Sequence, residues 1–259
     1  MGILNVTPDS FYSGSRCDAE TKIVNRIHQL VNEKADIIDI GGYSSRPHAD
    51  DISADEEFKR LKCGLEHIRR EAPDAIVSID TFRAGVARRC VEEYGADIIN
   101  DISGGDMDRD MYSTIASLKV PYVMMHMRGT PETMTSLTDY DNVVTDVIKS
   151  LGVKIDALRE LGVNDIIIDP GFGFSKTVAQ NFELLSQLEE FTYLNLPLLV
   201  GVSRKSMIYK SLNITAEESL NGTTVLNTIA VERGAHILRV HDVKAATEAV
   251  KLVSLTLKR

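Results

Sequence analysis

The chain is poor in the features that mark several broad protein classes. Its 259 residues hold three cysteines, Cys17, Cys63 and Cys90, and none of them form a CxxC pair. An odd, scattered set excludes a disulfide framework and a Cys-based zinc site, and it fits a reducing cytosol. No apolar run approaches the length of a membrane span. The first residues, Met1-Gly2-Ile3-Leu4-Asn5, carry no basic region and no cleavage pattern, so no signal peptide is read there. There is no excess of positive charge: the formal net charge is −9, which argues against general nucleic-acid binding. The expectation is a cytoplasmic protein that acts on small molecules, with neither nucleic acid nor membrane as a partner. A local basic pocket can still serve an anionic substrate in an acidic protein.

What is present is an alternation. Short Ile- and Val-rich runs recur at 2–6, 36–40, 75–79, 97–99, 121–125, 165–168, 197–202 and 236–240. Amphipathic stretches of helical length lie between them, such as 18–34, 55–71 and 244–258. Ser53 with Glu56 reads as a capping box, Thr215 as a cap for the helix containing Glu217 and Glu218, and Gly95, Gly162 and Gly234 as helix stops. Eight strand–helix units without a composition break predict an α/β protein, a single (β/α)8 TIM barrel over 1–259, with its active site at the C-terminal ends of the strands. A doubly wound open sheet is the alternative, but Asn5-Val6-Thr7-Pro8 is not a glycine-rich first turn. Because the first strand starts at residue 1, a short N-terminal segment is expected to precede it.

The strand exits carry polar groups: Asn5, then Asp39 before Gly41 and Gly42, then Asp80, Asn100, His126, Asp169, Ser203-Arg204-Lys205, and Arg239 with His241. A lone carboxylate behind a buried run is costly to desolvate, so Asp80 and Asp169 each need a donor-rich partner. Asp80, Asn100 and Asp169 together suit a ligand edge rich in N–H groups, such as an aminopyrimidine. Lys205, Arg239 and His241 suit an oxyanion. "DPGFGFSK" (169–176) lacks the spacing of a Walker loop. Several neighbours read as structural. His126 is a structural histidine, Lys176 faces solvent at a helix start, and Asp55, Glu56 and Glu57 form a solvated helix end. His28, His48 and His67 are surface residues.

Eight blocks in register, "ILNVTPDSF" (3–11), "GGYSSRP" (41–47), "SIDT" (78–81), "IINDISGG" (98–105), "MHMRGTP" (125–131), "DPGFGFSK", "GVSRKSM" (201–207) and "RVHDV" (239–243), resemble the successive signatures of the dihydropteroate synthase family. That resemblance implies condensation of 6-hydroxymethyl-7,8-dihydropterin pyrophosphate with p-aminobenzoate, giving 7,8-dihydropteroate and pyrophosphate. It implies that Asp169, Asp80 and Asn100 read the pterin edge, that Lys205 reaches the ring carbonyl, and that Phe174 and Met125 pack on the ring. It further implies that Arg239, His241 and Asn5 hold the pyrophosphate and that Asn5 ligates Mg2+. The aminobenzoate would lie between Phe11, Pro47 and the stem of Lys205, near Ser206, under a second loop carrying Ser45 and Arg46. Asp80, Asp169, Lys205, Arg239 and His241 would be the catalytic group, and sulfonamides would compete for the aminobenzoate position. A homodimer through the outer helices is also implied, with Val225, Leu226, Ile229 and Val231 as candidate contacts. The chain departs from the family at Ser13, where an acid is usual. Two other readings stay open: a Schiff-base aldolase using Lys205, and a non-catalytic pterin-binding barrel.

Overall fold

The computed structural model describes residues 1–7, 16–44 and 51–256, without the side chains of 16–19. The eight expected strands are β1 (Gly2–Asn5), β2 (Ile37–Gly41), β3 (Ile76–Asp80), β4 (Ile98–Asp101), β5 (Tyr122–Met125), β6 (Ile166–Asp169), β7 (Leu199–Val200) and β8 (Ile237–Leu238). The first six form one parallel sheet in sequence order, and β7 pairs with β8. Two parallel bridges, Ile168 to Leu198 and Gly2 to Val240, join these sheets on both sides. Backbone bonds support each junction: Ile168 N–H donates to Pro197 O at 2.9 Å, and Ile3 N–H donates to Val240 O at 3.0 Å. The result is a closed ring of eight parallel strands, a (β/α)8 barrel. The paired parts of β7 and β8 are shorter than their apolar runs. After β7 the chain turns at once, with Arg204 in a left-handed conformation (φ 54°).

Among the described residues the helices are α1 (Arg16–Asn32), α2 (Ala54–Glu71), α3 (Ala84–Tyr94), α4 (Met111–Leu118), α5 (Val143–Glu160), α6 (Val178–Ser186), α7 (Ser206–Leu212), α8 (Leu220–Glu232) and α9 (Val243–Thr256). Ser53 Oγ accepts from Glu56 N–H at 3.2 Å and starts α2. Thr215 and Glu218 do exchange bonds, at 2.9 and 3.3 Å, but they close a turn ahead of α8 rather than its first residue. Gly95 ends α3 with φ 62°, as a left-handed stop requires.

The period-two pleat decides which side chains enter the barrel. Leu4, Ile38, Ile40, Val77, Ile79, Ile99, Met124, Ile168 and Val200 point outward and pack under the helices. Their neighbours point inward. At the N-terminal end Met1, Ile98, Val123, Ile167 and Leu199 fill the barrel floor, with Ile37 and Ile237 against them. Two residues beyond Ile37, Ile98, Ile167 and Ile237 the inward positions become polar, as Asp39, Asn100, Asp169 and Arg239.

Two readings of charged groups are corrected here. Asp55 is exposed and Glu56 half-buried, but Glu57 is fully buried. It accepts from Thr81 Oγ1 at 2.6 Å and from the Arg83 guanidinium, and Arg83 also donates to Ile52 O at 2.7 Å. The sequence shows the charge run but not that Glu57 is the member on the inner face of α2. His67 is likewise buried, on that same face, against Arg70. His28 is half-exposed and pairs with Glu71, and His48 lies outside the described residues.

Candidate active site

Register gathers the site. Asn5 pairs with Gly41, Gly41 with Asp80, and Asp80 with Asn100, while Met125 pairs with Asp169. Asn100 is level with Val123, so Met125 and Asp169 stand two residues further toward the mouth than Asn5, Asp80 and Asn100, on the same inward face.

Arg239 ties this face together. Its Nε donates to Asp39 Oδ2 at 2.7 Å and its Nη2 to Asp80 Oδ2 at 2.6 Å. Asp39, fully buried one pleat below, also accepts from Ser78 Oγ at 2.6 Å and from Asn100 Nδ2 at 3.3 Å on both oxygens. Asp39 thus positions both the arginine and the carboxamide. Burial disfavours the Arg239 charge, but Asp39 and then Asp80 hold its pKa above the ordinary arginine value. One guanidinium serves two carboxylates, so negative charge is in excess. Burial pushes Asp80 up to about 7, with Arg239 opposing and Asp39 adding to the rise. Arg239 has five N–H groups, and with two committed it keeps donors for an incoming anion.

Asp169 is buried at the end of β6, and its Oδ1 accepts from Gly171 N–H at 2.8 Å. Burial raises its pKa, while Lys205 works the other way. Lys205 donates to Phe172 O at 2.5 Å, and its Nζ sits 4.7 Å from the centre of the Phe174 ring. Burial lowers Lys205 to about 8, partly offset by Asp169. Ser206 follows as the first residue of α7. Met125 packs with Phe82, Ile102, Met127 and Met134, and Phe174 leans on this cluster. The mouth therefore has an apolar wall beside its carboxylates.

His241, expected beside Arg239 at the oxyanion, is held by Ser203. Its backbone N–H donates to Ser203 Oγ at 3.1 Å, and its Nδ1 lies 3.0 Å from the same oxygen. Burial first, then Arg239, lowers His241 to about 4, so the ring is neutral at pH 7. The neutral ring offers an incoming anion no charge.

Lys176 differs from expectation. It is buried rather than solvent-facing, and burial lowers it to about 7. It contacts His126 Nδ1 at 3.1 Å. His126 is structural, as read from the sequence; burial and then Lys176 lower it to about 2, so it stays neutral. Phe11, Ser45, Arg46, Pro47 and Ser13 lie outside the described residues.

Sequence reasoning missed Asp39, Ser78 and Ser203 as parts of the site. Asp39 and Ser78 had a usable signal, because each sits two residues before an inward strand-end position, Gly41 and Asp80, and so shares its face. Ser203 had none.

Asn5, at the end of β1, makes no side-chain hydrogen bond among the described residues. A Cβ placed on Gly41 would lie 3.6 Å from both Asn5 Oδ1 and Asp80 Oδ2, so these oxygens flank one small space. No group of three or more His, Cys, Asp or Glu side chains able to hold a metal exists among the described residues. The free amide oxygen of Asn5 fits Mg2+ as one hard oxygen ligand, because that ion keeps several waters and takes others of its ligands from substrate phosphates.

The family model for pterin binding enzymes matches residues 1–241. The dihydropteroate synthase of Synechocystis sp. is 42% identical over 255 residues, covering 97% of this chain and 88% of that protein. The Escherichia coli enzyme is 40% identical over 259 residues, covering 99% and 91%. Among solved structures, the Clostridium difficile dihydropteroate synthase with pteroic acid superposes with a TM-score of 0.92 at 34% identity, covering 100% of this chain and 96% of that one. The Xanthomonas albilineans enzyme with 4-aminobenzoic acid gives 0.92 at 35% identity, covering 100% and 93%. Eight signature blocks, a closed barrel and an inward acid–arginine cluster all agree with these matches, and the chain belongs to the dihydropteroate synthase family of pterin-binding enzymes.

Proposed function

We propose that the protein condenses 6-hydroxymethyl-7,8-dihydropterin pyrophosphate with p-aminobenzoate to release 7,8-dihydropteroate and pyrophosphate. The observation that carries this reading is the position of Arg239, bonded to Asp39 and to Asp80, which is level with Asn100 at the mouth where Asp169 ends its strand. An acceptor-rich wall for ring N–H groups meets a donor-rich corner for an anion.

Asp169 and Asp80 accept from the pterin edge, Asn100 completes it, Lys205 donates to the ring carbonyl, and Met125 and Phe174 cover the ring. Arg239, with neutral His241, binds the pyrophosphate. The bond between the pterin methylene carbon and its oxygen breaks, and pyrophosphate leaves with the electron pair. The aniline nitrogen of p-aminobenzoate forms the new carbon–nitrogen bond and loses a proton. The two carboxylates favour the positive charge that develops on the pterin, and the arginine favours the leaving anion. Asn5 would hold Mg2+, which supplies charge neutralisation at the pyrophosphate. Phe11, Ser45, Arg46, Pro47 and Ser206 form the aminobenzoate side of this reading. No covalent nucleophile is needed. An aldolase role for Lys205 would leave Asp80, Asn100 and Asp169 unused, and a non-catalytic barrel would have no use for the anion corner.

Pyrophosphate release should require both substrates and Mg2+. The Yersinia pestis relative, with a TM-score of 0.91 at 37% identity, was solved with a sulfonamide drug complex. Sulfonamides are expected to inhibit this protein competitively against p-aminobenzoate in steady-state assays. No turnover with both substrates, or purely noncompetitive inhibition, would refute the reading.

A cytoplasmic homodimer completes the proposal. Of the residues expected at its interface, Val225 is exposed but Leu226 packs into the core. Leu220, Leu252 and Leu255 are further exposed apolar residues of α8 and α9, and Leu220 and Leu252 line one groove between the two helices. Light scattering at micromolar concentration should give twice the chain mass; a monomer would overturn this part.

A further inference from the structure

The exit of β6 folds around a buried ammonium. Lys176 Nζ lies 3.0 Å from Gly171 O, 3.1 Å from Phe174 O and 3.1 Å from His126 Nδ1. An ammonium has three N–H groups, and three acceptors use them all, leaving none for a ligand. We propose that Lys176 is a positioning residue for pterin recognition, fixing the loop that presents Asp169 and Phe174 to the ring. This rests on the reading that the pterin pyrophosphate is the substrate.

The argument runs through single groups. Gly171 donates its N–H to Asp169 Oδ1 and accepts from Lys176 with its carbonyl. Lys176 therefore sets the residue that holds the Asp169 carboxylate in one orientation. Phe174 accepts from Lys176 with its carbonyl, while its ring faces Lys205 Nζ. Both pterin contacts of this loop are thus one residue from the same ammonium. His126, at the exit of β5, ties the unit to the neighbouring strand.

The backbone shows why a cation stands there. Gly171, Gly173 and Ser175 alternate through positive φ values of 75°, 79° and 47°. Gly171 has no room for a side chain, since a Cβ would meet His126 O at 2.0 Å. This winding turns the Gly171 and Phe174 carbonyls onto Lys176, and Gly171 O also accepts from Phe174 N–H at 3.2 Å, which closes the turn. Unpaired buried carbonyls are costly, and an apolar side chain could not satisfy them. The remaining polar groups of the loop are held separately: Gly173 N–H donates to Asn181 Oδ1 at 2.7 Å, and Arg128 N–H donates to Ser175 Oγ at 3.0 Å. Removing the ammonium should therefore loosen Gly171 and Phe174 while leaving the rest of the barrel intact.

The test compares wild type, Lys176→Met and Lys176→Gln by calorimetric titration with the pterin pyrophosphate, steady-state kinetics and thermal melting. Lys176→Met should weaken pterin binding by about tenfold or more, as loss of a charged hydrogen-bonding group does. KM for p-aminobenzoate should stay within about twofold, because that substrate, in the proposed function, lies against Phe11, Pro47 and the stem of Lys205 rather than on this loop. Lys176→Gln, whose amide keeps two donors, should recover part of the pterin affinity. If Lys176→Met does not fold, Lys176→Gln alone decides, with weakened pterin binding and unchanged p-aminobenzoate KM supporting the proposal. Wild-type pterin affinity in the variants, or equal loss for both substrates, would overturn it. A wild-type protein that fails to bind the pterin pyrophosphate would instead overturn the substrate reading, and this inference with it.

Discussion

Arg239→Met should abolish useful turnover and also destabilise the fold. The guanidinium is the cation bonded to two carboxylates, one of them fully buried. Deleting one partner of a buried ion pair leaves uncompensated charge, at a cost of about 3 kcal/mol. For a chain of this size that corresponds to a melting temperature lower by roughly 6–12 °C. Pyrophosphate release should fall roughly 100- to 1,000-fold, the scale for losing a preorganised donor to a developing anion. The defect should depend on pH with a definite sign. Asp80 is already raised to about 7 against the pull of Arg239, so removing that pull raises it further. The folded variant then holds more protons near neutrality than the folded wild type, and the stability gap between them widens as pH rises from 6 to 8. Adding Asp39→Asn to the variant should recover stability without recovering turnover. Thermal melts at several pH values, with turnover measured alongside, check each part. A variant that melts like the wild type and keeps its turnover would remove Arg239 from the centre of the site.

Asp169→Asn should show the opposite balance, with binding lost and stability kept. The carboxylate is buried and raised by desolvation, so it costs the folded state something to keep it ionised. An amide of the same shape can still accept from Gly171 N–H through its oxygen and carries no charge to desolvate. Melting should be unchanged or slightly higher. The amide nitrogen, however, presents donors where the pterin edge also donates. Two facing donors leave buried groups unpaired, which costs about 3 kcal/mol, or roughly 100-fold in affinity. Calorimetric titration with the pterin pyrophosphate reads the loss, and a thermal melt reads the fold. Tight pterin binding in the variant would sink the role given to Asp169. Collapse of the fold would make that residue structural instead.

The two substitutions differ because of position along the pleat, which the sequence shows only in part. It determined that eight apolar runs alternate with amphipathic helices, and that Asn5, Asp80, Asn100, Asp169, Lys205, Arg239 and His241 stand at their ends. Strand periodicity and local composition are short-range properties, so they can be read directly. The sequence also showed Asp39 inside an apolar run, with no sign of what would pair with it.

Only the tertiary structure decided the pairings. Arg239 meets Asp39 across 200 positions because ring closure brings β8 beside β1 and β2, and no local pattern encodes that distance. Closure also set the charge of His241, which burial and Arg239 keep neutral, and it placed Lys176 inside a loop rather than in water. Glu57 and His67 changed from surface to buried for the same reason: a helix face becomes interior only when a strand is laid against it. The residue types were fixed along the chain, while their partners and protonation followed from barrel closure, which excludes water and leaves each buried charge to the neighbours that the register supplies.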